Sequence, residues 1–229
     1  MKKNLQFTFV ILIAVAFGLL SYFIGTIPSL VQAGFLYMGL NFMTLSIYLS
    51  EKIRPYLDPI VAPGSLFTNI LVGGLAGGGI LALSLVGLSI GTPLVPASVE
   101  SNLRWVIVGL MAPVIEEIAC RGALLGLFAF LLSRGKKLTT GRLWIAILLQ
   151  AFFFMTIHFT AYSFGWYSAP TLSSSFGSLG NVGASLLSAF IFGTIMGYLV
   201  SRKKINLLGA IIAHFLVNNF LFLKLSLFF

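Results

Sequence analysis

The sequence predicts an all-α integral membrane protein with about seven transmembrane helices. Three observations carry this. Hydrophobic residues make up 59% of the chain and charged residues only 8%, against about 45–50% and about 25% in an ordinary soluble domain. The apolar residues fall into runs of the ~20 residues that a helix needs to cross a bilayer. The basic residues cluster at alternate ends of those runs, as expected of a multi-pass protein in a cell membrane. At 229 residues the chain reads as a single transmembrane domain over 1–229, its motif-bearing core at about 104–227.

The predicted spans are, in order, roughly 5–27, 30–50, 65–90, 104–133, 142–164, 181–201 and 206–227. The first, opening MKKNLQFTFVILIAVAFGLLSYFIG, has the look of a signal sequence. No small-x-small cleavage site follows, so it is read as a retained helix. The third contains GGLAGGG, which sets Gly73 against Gly77 and Gly74 against Gly78 at four-residue spacing. Gly122/Gly126 and Gly193/Gly197 repeat that spacing, which lets helices approach closely in lipid. Between spans five and six, GWYSAPTLSSSFGSLG (165–180) has no charge and reads as a loop or re-entrant cap.

Charge sets the orientation. With a cytoplasmic N-terminus, alternate loops carry Lys2 and Lys3; Lys52 and Arg54; Arg134, Lys136, Lys137 and Arg142; and Arg202, Lys203 and Lys204. These are eleven of the fourteen basic residues, so the N-terminus is expected inside and the C-terminus outside. The net charge of +9 is spread over span ends, which argues for the bilayer and against nucleic acid as partner. The single cysteine, Cys120, excludes an intramolecular disulfide and a cysteine metal site.

The chemistry sits in span four. Residues 113–122 read PVIEEIACRG, so two of the five acidic residues lie in a run of about thirty mostly apolar ones. A charged side chain at mid-membrane costs roughly 2.5–3.5 kcal/mol on insertion scales. At about 100° per residue, Glu117 and Arg121 lie within about 40° of each other and can pair. Glu116 points about 100° away and is left for other work. The remaining polar residues recognised inside spans are His158, His214, Asn218 and Asn219. A histidine can pass protons near neutral pH, an asparagine amide can donate to an oxyanion, and a buried carboxylate can activate water. Together they are the inventory of a hydrolase without a covalent nucleophile, although the residues alone do not choose Glu116 over Glu117 as the base. Ion pairing for architecture and buried, satisfied histidines are the plainer alternatives.

Other protease chemistries fit less well. There is no HExxH pair for zinc. The one aspartate, Asp58, is expected in a loop, which leaves no aspartyl dyad. Cys120 is flanked by apolar residues and reads as an inert thiol, and Ser185 with His214 is a weak serine–histidine pair near a span end.

Glu116-Glu117-xxx-Arg121, Phe154-xxx-His158 and His214-xxx-Asn218, in that order on three membrane helices, resemble the motifs of the CPBP family. This family, also called Abi, comprises type II CAAX prenyl endopeptidases and bacteriocin-processing enzymes. Cys120 departs from the aromatic usual before the arginine. The resemblance implies a glutamate-dependent intramembrane endopeptidase. Glu116 would activate water with help from His158, His214 and Asn218 would stabilise the oxyanion, and Glu117 with Arg121 would shape the site. No metal or other cofactor is implied. The implied partners are a peptide precursor, a prenylated C-terminal peptide or a membrane-protein substrate. The alternatives are a non-catalytic bacteriocin-immunity or membrane-binding protein, a proton-coupled transporter, and a zinc protease using His158, His214 and Glu116. Counted from the cytoplasmic span ends, His214 lies about 12 Å deep and Glu116 about 26 Å, at ~1.5 Å per residue. On that count the two would not meet.

Overall fold

The computed structural model describes residues 29–61, 65–88, 110–133, 136–163, 177–202 and 204–227. Among them the chain is helical, with no strand. The helices are α1 (Ser29–Tyr48), α2 (Arg54–Val61), α3 (Leu66–Leu88), α4 (Ala112–Glu117), α5 (Leu125–Ser133), α6 (Thr140–Ser163), α7 (Gly177–Ser201) and α8 (Leu207–Leu227), with a π-helical segment at Ile118–Leu124 joining α4 to α5. Helices meet the requirement of an apolar chain in lipid that each backbone group be satisfied within its own segment. Three of them start on side-chain caps. Ser65 Oγ accepts from the Thr68 N–H (3.4 Å), Thr139 Oγ1 from Arg142 (3.4 Å) and Asn206 Oδ1 from Leu208 (3.0 Å), each relieving an N–H that the first turn leaves open.

Exposure is inverted relative to a soluble protein. Leu49, Phe67 and Leu75 are about 70% exposed, while Glu117, Arg121 and Gln150 are fully buried. Such an outer surface suits hydrocarbon rather than water. Among the described residues, Thr140–His158 is the stretch long and apolar enough to cross a membrane. Phe35–Tyr48, Leu66–Gly79, Leu186–Ser201 and Leu207–Asn218 are shorter apolar stretches.

The α4–π–α5 run is the axis of the bundle, with residues 119–126 consecutively buried. α1 reaches it through Tyr48 at Gly122, α2 through Leu57 at Gly126, and α8 through Leu207 at Gly122. α3 and α8 touch backbone to backbone. A methyl group at Gly77 would sit 2.7 Å from the Ala213 carbonyl oxygen and 2.9 Å from Ala213 Cα, and one at Gly73 would strike the carbonyl of Gly209. Only a glycine permits that approach. α7 meets α6 with Gly193 on Ala151 and Gly197 on Gln150. The neighbouring pair Gly74/Gly78 does not share this role, since a methyl on Gly74 would only graze Leu216 and one on Gly78 would meet nothing within 4 Å among the described residues.

The turns after α1, before α3, between α5 and α6, and between α7 and α8 gather at one end. Tyr56 and Ser133 share a hydroxyl hydrogen bond (2.6 Å), Asn69 Oδ1 accepts from the Asn206 N–H (2.9 Å), and Trp144 stacks on Tyr198 at 5.2 Å. Lys52, Arg54, Lys136, Lys137, Arg142, Arg202 and Lys204 all lie at this end.

Several expectations change. Asp58 is on helix α2, not in a loop: the RPYLDPIV segment folds amphipathically against the end of α5. The loop expected over 165–180 ends earlier, since α7 begins at Gly177; its small and polar start is carried by the apolar helix behind it. Span four is not uniformly α-helical. The first span, residues 104–109 of the fourth and most of the 165–180 segment lie outside the described residues.

Candidate active site

Pro113 sits in the first turn of α4, where its missing N–H costs no helical hydrogen bond. Three and four residues on, Glu116 and Glu117 close α4, and the helix then widens. The Leu125 N–H reaches the carbonyl of Cys120, five residues back, as well as that of Gly122. Such π turns occur mostly as short insertions, often at functional sites. Arg121, inside the widened turn, still comes round onto Glu117.

Glu117 and Arg121 are both wholly buried, with Nη1 2.9 Å from Oε1. The contact is an ion pair by distance but not a directed hydrogen bond, because the guanidinium nitrogens have no hydrogen-bond partner among the described residues. Aromatic faces stand there instead. The guanidinium carbon lies 3.9 Å from the Phe154 ring centroid and 5.1 Å from that of Phe192, within cation–π range. The same Glu117 Oε1 lies 2.8 Å from His214 Nδ1. A carboxylate only accepts, so Nδ1 carries the proton. Phe154 and Phe192 also flank His214, at 5.6 and 5.1 Å between ring centroids.

Glu116 is set differently. Its Oε1 accepts from the Tyr37 hydroxyl at 3.1 Å. Its Oε2 is buried, has no hydrogen-bond partner among the described residues, and faces His214 Nε2 across 4.0 Å. A gap of that width between polar atoms is one that a bridging water can fill.

His158 donates from Nδ1 to the Phe154 carbonyl (2.9 Å). A carbonyl cannot donate, so the neutral ring is left with Nε2 as an acceptor. The ring packs on Phe154 at 4.5 Å, the same ring that Arg121 and His214 face at 3.9 and 5.6 Å. Asn218 lies half-buried on α8, one turn beyond His214. The structure thus brings Glu116, Glu117, Arg121, His158 and His214 together. The depth count is corrected: Glu116 and His214 meet, so the ends of α5 and α8 cannot be level. Among the described residues, no three His, Cys, Asp or Glu side chains form a metal-ligand group. Cys120 is buried and free. The side chains of Asn219 and Ser185 lie outside those described.

Sequence reasoning passed over four polar or aromatic contributors. Tyr37 and Phe192 look like ordinary apolar-span residues. Asn69 and Gln150 are polar and inside spans, which was a usable signal. Asn69 holds the start of α8 through Asn206, and Gln150 Nε2 donates to the Gly193 carbonyl at 2.6 Å.

Comparison with known proteins bears on this cluster. The family model described as type II CAAX prenyl endopeptidase Rce1-like matches residues 98–220, from ahead of α4 into α8. No curated protein and no solved structure matches the chain. The family match spans more than half of the chain, and the chain belongs to this family. It is therefore a membrane protein of a protease family, helical throughout its described elements, whose substrate is a peptide or protein met in the membrane.

Proposed function

We propose that this Rce1-like protein is an intramembrane endopeptidase in which Glu116 activates the water that cleaves the peptide bond. The substrate is a prenylated CAAX-type C-terminus or a peptide precursor. One observation carries the choice of base: the unequal setting of the two glutamates. Glu117 is committed to Arg121 and His214 (2.9 and 2.8 Å). Each glutamate keeps one buried oxygen without a hydrogen-bond partner among the described residues, but that of Glu116 faces a histidine nitrogen, His214 Nε2, across 4.0 Å, while Glu117 already neutralises a cation.

Chemistry follows from these settings. A water between Glu116 Oε2 and the histidines gives one proton to Glu116 as its oxygen attacks the substrate carbonyl carbon. His158, with Nδ1–H tied to Phe154, orients that water by accepting its other hydrogen at Nε2. The carbonyl π-electrons move to oxygen. His214, held between two carboxylates as the imidazolium, donates from Nε2 to this oxyanion together with the Asn218 amide. Protonated Glu116 then passes its proton to the leaving nitrogen as the C–N bond breaks. The products are a carboxylic acid and an amine, with water consumed and Glu116 restored. Glu117, itself paired with Arg121, holds the His214 ring in place and fixes its direction.

The basic turns gathered at one end favour a seven-span chain forming one membrane domain, with that end and the N-terminus in the cytoplasm and the C-terminus outside. Reporter fusions at residues 58, 95, 138, 172 and 204 should alternate in, out, in, out, in.

The deciding experiment is cleavage of a farnesylated CAAX peptide by protein reconstituted in liposomes. Glu116→Gln keeps shape and removes the base, so cleavage should fall by at least the ~10²–10⁴-fold expected for lost acid–base catalysis, with unfolding unchanged. Retained cleavage by Glu116→Gln overturns the reading. Loss of activity on chelation, with recovery on adding zinc, overturns it in favour of a metalloprotease using His158, His214 and Glu116.

A further inference from the structure

The helix that completes the environment of Glu116 lies outside the segment the family match covers. α1 ends 50 residues before residue 98, where the match begins, yet its Tyr37 hydroxyl donates to Glu116 Oε1 at 3.1 Å. Tyr37 and Tyr48 are eleven residues apart, about three helical turns, and so share one face of α1. Tyr48 lodges against Gly122, where a methyl group would lie 2.5 Å from the Tyr48 hydroxyl oxygen. Between them Leu40 and Ile47 are buried in the core. α1 is thus registered along α4 and the π segment at two points, and Tyr37 is delivered to Glu116 by a packed helix rather than by a mobile side chain.

We infer that Tyr37 is a positioning residue for Glu116. Resting on the glutamate reading above, it ties down Oε1 so that Oε2 is the oxygen presented to water and His214. A carboxylate otherwise turns about its last torsion, which is broad and roughly two-fold, and presents either oxygen or neither. Loss of a hydrogen bond to a charged group is worth about 10- to 100-fold, and here it falls on turnover because Tyr37 acts through the base and not on the substrate.

The test is Tyr37→Phe beside Glu116→Gln and the double variant, all assayed in liposomes on the farnesylated CAAX peptide. Tyr37→Phe should lower kcat about 10- to 100-fold, leave KM within about twofold and leave the unfolding midpoint in place. In the Glu116→Gln background it should add nothing, as expected of two residues acting through one group. An unchanged kcat overturns the inference. So does a kcat loss matched by a lower unfolding midpoint and a higher KM, which marks a structural role alone. Should Tyr37→Phe fail to fold, a fluorinated tyrosine at position 37 keeps the ring and alters only the acidity of the hydroxyl. Turnover that changes with fluorination supports the inference, and indifference overturns it. If Glu116→Gln still cleaves, the glutamate reading falls and this inference with it. If Glu116→Gln is inactive and Tyr37→Phe is normal, the inference alone falls.

Discussion

α8 is held on two faces by opposite means. On one face, Gly209 and Ala213 meet Gly73 and Gly77 of α3, backbone against backbone. On another, about 100° around the helix, His214 meets Glu117 at 2.8 Å. The first contact is many weak dispersion terms, each about 0.1–0.2 kcal/mol. The second is a few strong polar ones in a medium that hardly screens them. The difference separates two tasks. The glycine seam sets how near α8 comes, and the ion cluster sets which way His214 points. A site that must place an imidazole between two carboxylates needs both.

The comparison can be tested at each side, from the largest expected effect to the smallest. Arg121→Ala leaves the buried carboxylate of Glu117 without its cation and should cost about 3–5 kcal/mol of stability, read by denaturant unfolding in micelles. A neutral Arg121→Ala would mean that Glu117 is sustained by His214 alone. Asn218→Ala, beyond the seam on α8, should slow cleavage about 10²–10³-fold with the fold intact, the scale for removing one oxyanion donor; an unchanged kcat would take Asn218 out of the proposed mechanism. Gly77→Ala forces α8 away from α3 and should cost about 1–3 kcal/mol, lowering activity and the unfolding midpoint together. Gly78→Ala, one residue on and meeting nothing within 4 Å among the described residues, should stay within about 0.5 kcal/mol of wild type. Equal effects at 77 and 78 would show that the seam is not a backbone contact.

The two faces also differ in how far the sequence disclosed them. Four-residue glycine spacing flagged the seam but not which of two overlapping pairs would use it, since Gly73/Gly77 and Gly74/Gly78 are the same pattern one residue apart. Only the partner helix decides. The Glu117–Arg121 pair followed from helical spacing and survives the π segment, because four residues bring the chain round in either geometry. The π turn itself left no sign in composition. Asp58 falls between the predicted spans 30–50 and 65–90 and so reads as loop, yet the eight-residue α2 tolerates Pro55 in its first turn and gains support from packing on α5. Tyr37 went unseen because a tyrosine in an apolar run is ordinarily a membrane-interface residue, and its hydroxyl acquires meaning only once α1 lies beside α4. The depth count treated span ends as coplanar, which tilted helices of unequal length do not obey.

The pairing of Glu117 within its own helix also bears on how the protein is made. His214 follows Glu117 by 97 residues, so at about 5–20 residues per second the histidine is synthesised roughly 5–20 s after the glutamate. During that interval the axial helix must rest in the bilayer with α8 not yet built. Arg121, four residues on and emerging within about a second, supplies a counter-charge at once. The counter-charge of Arg121 is thus available to Glu117 well before the histidine that shares the same carboxylate oxygen in the finished fold.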